Sequence, residues 1–318
     1  VHSPKEDKNA HVYGSVTVPI FQTATFAHPG VGDTTGYDYS RQSNPTRTEL
    51  EDCITALENA YDTVATSTGM AACLLVLELF NPGDHIISQE DIYGGSTRLF
   101  STLGVERGRT FSYVDTTVAE NVIDAINENT KAIFIETPSN PTMLVTDIRE
   151  MSKIAKEHNL LLIVDNTFLS PYFQNPISLG ADIVIHSATK YIAGHNDTLA
   201  GFVCTANEEL AEKIRFMYKT VGPSLAPFDS FLTLRGLKTL AIRMDRIQEN
   251  AIKIANYLKT NKKITNVYYV GLPEHPGYEV NLSQARGFGG MISFTTDTAQ
   301  TAKAAFEKIK IIKYAESL

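Results

Sequence analysis

Seven short apolar runs, separated by segments of helical periodicity and turns, constrain this chain more than any other feature. They are "TVATS" (63–67), "HIISQ" (85–89), "TFSYVD" (110–115), "KAIFIET" (131–137), "LLLIVDN" (160–166), "ADIVIHS" (181–187) and "LAGFVCT" (199–205). A strand with one wet face alternates apolar and polar residues. Runs such as "LLLIVDN" and "ADIVIHS" do not, so both of their faces need cover. The cover is in the intervening segments. "TRTELEDCITALENA" carries Leu50, Ile54 and Leu57 at helical spacing, and "GMAACLLVLELF", "GGSTRLFSTLGV", "AENVIDAINE" and "DIREMSKIAKEHN" read as helices. Asn81-Pro82-Gly83 stops the second of these. The fold class that follows is α/β, a mostly parallel seven-stranded sheet with helices on both faces.

The flanks differ. Residues 1–42 are rich in Gly, Pro, Thr and Tyr without periodicity and read as an extended arm. Residues 43–237 hold the α/β pattern. From 238 to 318 a long helix (239–260), a strand "ITNVYYV", a Gly/Pro-rich link, a strand "GGMISFTT" and a further helix suggest a smaller α+β domain. The last segment, "IKIIKYAESL", reads as a strand. The chain stops there and begins without Met, so the smaller domain reads as incomplete.

Composition excludes several function classes. The 318 residues carry 36 acidic and 28 basic side chains, a net charge of −8, with no basic block to track a nucleic acid. The longest apolar run, Met70 to Phe80, is too short to span a bilayer, and no signal peptide is evident. Cys53, Cys73 and Cys204 lack metal or redox spacing and read as buried free thiols, which suits a reducing cytoplasm. His186 and His195 flank Lys190 without metal-ligand spacing; the first reads as packed in the sheet, the second as a loop residue. "GFGG" (287–290) precedes a strand and is no dinucleotide loop, no GxxxxGK[ST] motif occurs, and Ser187 lacks a nucleophile-elbow context.

In parallel α/β sheets, sites form beyond the carboxyl ends of the strands. "TVATS" runs into "STGM" (67–70), small residues opening a helix, where backbone N–H groups suit a phosphate. Alone this is a capped turn. "LLLIVDN" ends at Asp165, which alone is as well read as a helix cap. "ADIVIHS" ends at Ser187, followed by Thr189 and Lys190; alone, such a lysine is a surface residue. Together they form a set: a phosphate-ready turn, a carboxylate, hydroxyls and an amine on one edge, with Lys190 placed 25 residues after Asp165 (190 − 165). Pyridoxal phosphate chemistry needs these groups. An amine forms an imine with the aldehyde, a carboxylate keeps the pyridine nitrogen protonated, and a helix N-terminus with hydroxyls holds the phosphate.

The chain resembles the Cys/Met-metabolism family of pyridoxal-phosphate enzymes, the group of cystathionine γ-synthases, γ-lyases and β-lyases. The segments that carry the resemblance are "GSVTVPIFQTATF", "YDYSRQSNPTR", "STGMAA", "DIYGGSTRLF", "ETPSNPT", "VDNTF", "HSATKYIAGHND", "PFDSFLTLRGLKTLAIRM", "HPGYEV", "GFGGMISF" and "AESL", in family order along nearly the whole chain. The resemblance implies the aspartate-aminotransferase-like sheet of fold type I. It makes Lys190 the covalent anchor and proton carrier, and Asp165 the partner of the pyridinium. Gly69, Met70, Ser187 and Thr189 would bind the phosphate, and Tyr93 would stack on the ring and take part in proton transfer. Tyr39 and Arg41 would reach the phosphate of a neighbouring subunit from the arm, in a homotetramer built as a dimer of dimers. Asn140, Glu316 and Ser317 would lie at the substrate. The partner is a small amino acid, with no nucleic acid, membrane or metal.

The implied chemistry is γ-replacement or γ-elimination on O-acylhomoserine or cystathionine, in transsulfuration and methionine biosynthesis. Gly95 stands where methionine γ-lyases of the family carry Cys, and Glu316 stands where its γ-enzymes have Glu. The order of expectation is γ-synthase or γ-lyase, then cystathionine β-lyase, then O-acetylhomoserine sulfhydrylase. The family continues after "AESL" with Gly-Gly and a later carboxylate-binding arginine. The sequence ends at Leu318, so this chain is expected to turn over more slowly than an extended one. Two readings from other classes stay open: a cofactor-binding scaffold without turnover, and a nicotinamide oxidoreductase, for which the glycine-rich loop after the first strand is missing.

Overall fold

The computed structural model describes residues 12–315; Glu316 and Ser317 lie outside the described residues. Its large sheet is assembled from β1 (Asp62–Thr66), β2 (His85–Gln89), β3 (Thr110–Val114), β4 (Thr130–Glu136), β5 (Leu161–Asp165), β6 (Ile183–Ser187) and β7 (Gly201–Thr205), the seven runs read from sequence. The strand order is β1-β7-β6-β5-β4-β2-β3. Neighbours among β2 to β6 pair in parallel, and β7 is antiparallel to both β6 and β1. β1 therefore runs in the same direction as β6. The carboxyl ends of six strands, and the segments that leave them, share one edge.

Both faces of the sheet are covered. Ile163, Ile183, Ile185, Ala132 and Phe134 join Ala72, Leu75 and Val76 of α2 (Gly69–Leu77) and Leu99 of α3 (Gly94–Leu99). The alternate residues Leu162, Val164, Val184, Ile133 and Ile135 pack instead with Leu50 and Ile54 of α1 (Pro45–Glu58) and Met151 and Ile154 of α5 (Ile148–Glu157). Such strands have weak internal register, because a slip of one residue exchanges apolar for apolar. Their ends supply what the middles lack. Glu136, Asp165 and His186 are buried and polar, and each finds its partners in one register only.

The helices start where side chains satisfy their first N–H groups. Asn44 caps α1, with Pro45 in its first turn, Thr68 caps α2, and Asp147 caps α5. The remaining helices of the large domain are α4 (Ala119–Asp124), α6 (Ser170–Phe173), α7 (Glu208–Val221) and α8 (Pro227–Leu237). In α7, Leu210, Ile214 and Tyr218 recur every four residues and are buried.

The C-terminal part is α9 (Leu240–Lys259), β8 (Ile264–Tyr268), α10 (Tyr278–Gln284), β9 (Ser293–Thr296) and α11 (Ala299–Lys308). β8 and β9 form an antiparallel pair. The strand expected in "IKIIKYAESL" does not form over 309–315: this segment joins neither β8 nor β9, and Ile311, Ile312 and Tyr314 are exposed. Without a ladder partner, β-propensity alone does not make a strand. Among the described residues no helix is long and apolar enough to cross a membrane.

One fully buried polar joint fastens α1 to the sheet. Glu58 Oε1 bonds His186 Nε2 at 2.6 Å and accepts from Asn166 Nδ2 at 3.1 Å; all three residues are buried. Asn166 follows Asp165, and His186 precedes Ser187, so the joint grips the ends of β5 and β6 from below. Removing the carboxylate leaves two buried polar groups without it. Glu58→Ala is expected to lower the unfolding free energy by about 3–5 kcal/mol. Chemical denaturation reads this out, and an unmoved midpoint would refute the joint's importance.

Candidate active site

The edge where the six strands end carries Gly69, Met70, Tyr93, Asn140, Asp165, Ser187, Thr189 and Lys190, but not Tyr39 and Arg41, among the residues singled out from sequence. Thr68 Oγ1 accepts from Ala71 N–H at 2.9 Å, which uses the third N–H of α2. The N–H groups of Gly69 and Met70 have no acceptor within the helix. They are the two residues expected to meet a phosphate. Gly69 sits hard against Ser187: a Cβ there would lie 2.7 Å from Ser187 Cβ. Glycine is therefore what allows the helix N-terminus to approach the end of β6. Ser187 and Thr189 are half-buried beside it. The Thr189 hydroxyl is partly committed, since it accepts from Ala200 N–H at 3.0 Å and donates to Ala200 O at 3.2 Å.

Asp165 ends β5 and is 8% exposed. Its Oδ1 accepts from Thr167 N–H at 3.0 Å and from Thr167 Oγ1 at 2.5 Å. The Thr167 hydroxyl oxygen in turn accepts from Ser187 N–H at 2.8 Å, which ties the end of β5 to the end of β6. Burial pushes the Asp165 carboxyl above the ordinary range; the Thr167 bonds, His186 and Lys190 oppose the rise. Lys190, half-buried in the turn after β6, shows the reciprocal effect. Desolvation draws its amine below the ordinary lysine value, and the Asp165 charge works the other way.

The turn that carries Lys190 is held from outside. Arg243 of α9 donates to the carbonyls of Tyr191 at 2.6 Å, Ile192 at 3.2 Å and Gly236 at 2.9 Å. Gly194, at φ +69°, lies so close to this guanidinium that a Cβ would come within 2.0 Å of it. His186 is packed in the sheet and His195 lies in the loop, as read from sequence.

Tyr93 precedes α3 and is 45% exposed. A Cβ on Gly95 would meet that ring at 2.3 Å and Met70 Sδ at 2.9 Å. A cysteine at position 95 would therefore displace Tyr93, so the Gly95 of this chain and its Tyr93 geometry go together. Asn140 is half-buried in the loop after β4. Asp91 accepts from Thr142 N–H at 3.2 Å and from the hydroxyls of Ser139 and Thr142, which fastens this loop to the Tyr93 segment. Tyr39 and Arg41 are exposed on the arm. Arg41 stacks 5.2 Å from the Tyr39 ring centroid and donates to the Lys219 carbonyl at the end of α7. Glu316 and Ser317 are outside the described residues.

Glu136, Thr167, Asp91 and Arg243 were not singled out from sequence. Glu136 had a signal: it ends β4 as Asp165 ends β5, and the strand-end rule applied to "KAIFIET" finds it. Thr167, Asp91 and Arg243 each tie in a distant segment, around Ser187, Ser139–Thr142 and Tyr191–Ile192, which no local spacing reveals.

The donor set fits pyridoxal phosphate. Two free helix N–H groups and the Ser187 hydroxyl suit a dianionic ester. A buried, hydrogen-bonded carboxylate suits a cationic ring nitrogen. A partly desolvated amine suits an aldehyde. Among the described residues no group of three or more His, Cys, Asp or Glu could hold a metal ion.

The sequence profile described as Cys/Met metabolism PLP-dependent enzyme matches residues 1–318. The chain is 48% identical to a cystathionine gamma-lyase of Bacillus subtilis over 309 residues, 96% of this chain and 80% of that protein. It is also 48% identical to a cystathionine beta-lyase of Lactococcus lactis over 305 residues, with the same coverages. Its fold superposes with a TM-score of 0.96 on a cystathionine gamma-lyase from Lactobacillus plantarum solved with L-serine, at 42% identity, covering all of this chain and 82% of that one.

Desolvation favours the neutral form of an amine, so Lys190 loses its proton at a lower pH than a free lysine. Labelling of the cofactor-free protein with an amine-reactive reagent, mapped by mass spectrometry across pH, is expected to give Lys190 a midpoint below the ordinary lysine value of 10.5. A midpoint at or above that value contradicts the environment described.

Proposed function

Because the chain belongs to the family of Cys/Met metabolism PLP-dependent enzymes, we propose that it acts on cystathionine or an O-acylhomoserine by γ-elimination or γ-replacement. Small amino acids are the substrates this family handles. The observation that carries the reading is the convergence at one sheet edge of Lys190, Asp165 and the free N–H groups of Gly69 and Met70.

Pyridoxal phosphate, when bound, supplies an electron sink for charge developing on the substrate α-carbon. Everything else falls to the chain. Gly69, Met70 and Ser187, with Thr189 at the rim, receive the phosphate. Asp165 keeps a positive charge at its carboxylate, where burial makes the attraction strong. Lys190 anchors the cofactor and then, as a free amine, takes the Cα proton. Its lowered basicity suits a base that must also give the proton back near neutral pH. For γ-chemistry it would first give up the Cα proton and then, neutral again, take one from Cβ. Tyr93 covers the reacting face, and Asn140 meets the substrate carboxylate.

The related proteins carry both gamma-lyase and beta-lyase names at equal identity. Glu316 in "AESL" is the sequence feature that favours γ over β. Residues 43–237 are proposed as the cofactor domain, and the arm up to residue 42 as a segment serving a neighbour in a cytoplasmic homotetramer. The exposure of Tyr39 and Arg41 supports that use of the arm.

Incubation with L-cystathionine and pyridoxal phosphate is expected to yield cysteine, ammonia and 2-oxobutyrate. If the chain is a synthase, it should instead make cystathionine from cysteine and an O-acylhomoserine. Pyruvate with homocysteine would show β-elimination and overturn the γ assignment. Lys190→Ala is expected to lower turnover by more than about 10³-fold and to abolish the visible absorbance of bound cofactor, with circular dichroism unchanged. Retained turnover would remove Lys190 from its role.

A further inference from the structure

Glu136 has no part in the chemistry just described, yet it is one of the most constrained groups at the site. In the β4–β5 ladder it stands opposite Asp165. Paired residues of neighbouring strands project to the same face. Two carboxyls are therefore buried side by side, Glu136 with 5% and Asp165 with 8% exposure. Glu136 Oε2 accepts from Tyr93 N–H at 2.9 Å, and the Asn140 backbone N–H also bonds this carboxyl. One side chain thus holds by their backbones the two segments that bring Tyr93 and Asn140 to the site.

The charges around the pair are unequal. On the Asp165 side stand Lys190, with His186 beyond, and the Thr167 donors. On the Glu136 side stands Asp91. The Cys73 thiol lies near both carboxyls, and Asp165 and then Glu136 suppress its ionisation. Like charges this close in a poorly solvated site do not both ionise readily, and the proton settles where the cations are not. Burial and then Asp165 push Glu136 well above the ordinary carboxyl range.

We propose that Glu136 and Asp165 carry one negative charge between them, with the proton on Glu136, which serves as a positioning residue for Tyr93 and Asn140. Asp165 is thereby left ionised for its cation. The inference rests on the reading of Lys190 and Asp165 given above.

Infrared spectroscopy across pH, on the protein with and without pyridoxal phosphate, tests it. A carboxylic-acid C=O stretch is expected at neutral pH. It should vanish in Glu136→Gln, which keeps an oxygen for the Tyr93 N–H. In Asp165→Asn it should titrate at lower pH, because the repelling charge is gone. For the amino-acid substrate, Glu136→Gln should hold KM within about 3-fold of the parent. Glu136→Ala should raise KM by about 10-fold or more, the equivalent of one lost buried hydrogen bond. Absence of the stretch at neutral pH, its survival in Glu136→Gln, or equal KM effects of Gln and Ala would each overturn the proposal. A protein that shows no visible absorbance with pyridoxal phosphate would defeat the cofactor reading instead, and the infrared result on the cofactor-free protein would still decide Glu136.

Discussion

A carboxylate at the dry end of an apolar strand must be met by a cation or by hydrogen bonds, and Asp165 is the point from which the site is organised. Desolvation works against its charge. The two Thr167 donors and the neighbouring Lys190 work for it. In such surroundings a fixed charge attracts an incoming cation far more strongly than it would in water. The same surroundings draw down the basicity of Lys190. One burial thus yields both an anion suited to a cationic ring and an amine that deprotonates early.

That arrangement needs a rigid support, and the sheet provides one. β5 and β6 are covered on both faces, so neither can shift without opening a packed layer. Thr167 ties their ends together above, and Glu58 grips Asn166 and His186 below. The reversal of β7 relative to β6 and β1 matters as well. It lets the first strand lie beyond the last two and still point the same way. The N-terminus of α2 therefore reaches Ser187, although more than a hundred residues separate them in sequence.

The sheet was legible because hydrophobic periodicity is a local property. All seven strands and five covering helices stand out in runs of five to fifteen residues. Lys190, Asp165 and "STGM" were legible because strand ends are where α/β sheets keep their chemistry. Tyr93, Asn140, Tyr39 and Arg41 were not, since each alone passes for an ordinary turn or loop residue and only the resemblance singled them out. Glu136 was open to the strand-end rule that found Asp165. Thr167, Asp91 and Arg243 escaped for another reason: each bonds a segment that the fold brings near, so neither spacing nor composition records the contact. The strand expected at 309–315 failed in the opposite direction: its composition suited a strand, and no ladder was there to accept it.

β- and γ-elimination share their first step, removal of the Cα proton, and diverge in whether the same amine then serves Cβ. On the function proposed above, the sheet serves the first step, because Asp165 ends β5 and Lys190 follows the neighbouring β6 by one turn. The second depends on how far the Lys190 amine travels and how firmly the substrate carboxylate is held. Arg243 restrains the turn that carries Lys190 through the carbonyls of Tyr191 and Ile192. Asp91 and Glu136 restrain the loop that carries Asn140. None of these restraints lies in a strand interior. Related proteins can therefore differ in the bond they break, and equal identity to a gamma-lyase and a beta-lyase is what this division of labour leads one to expect.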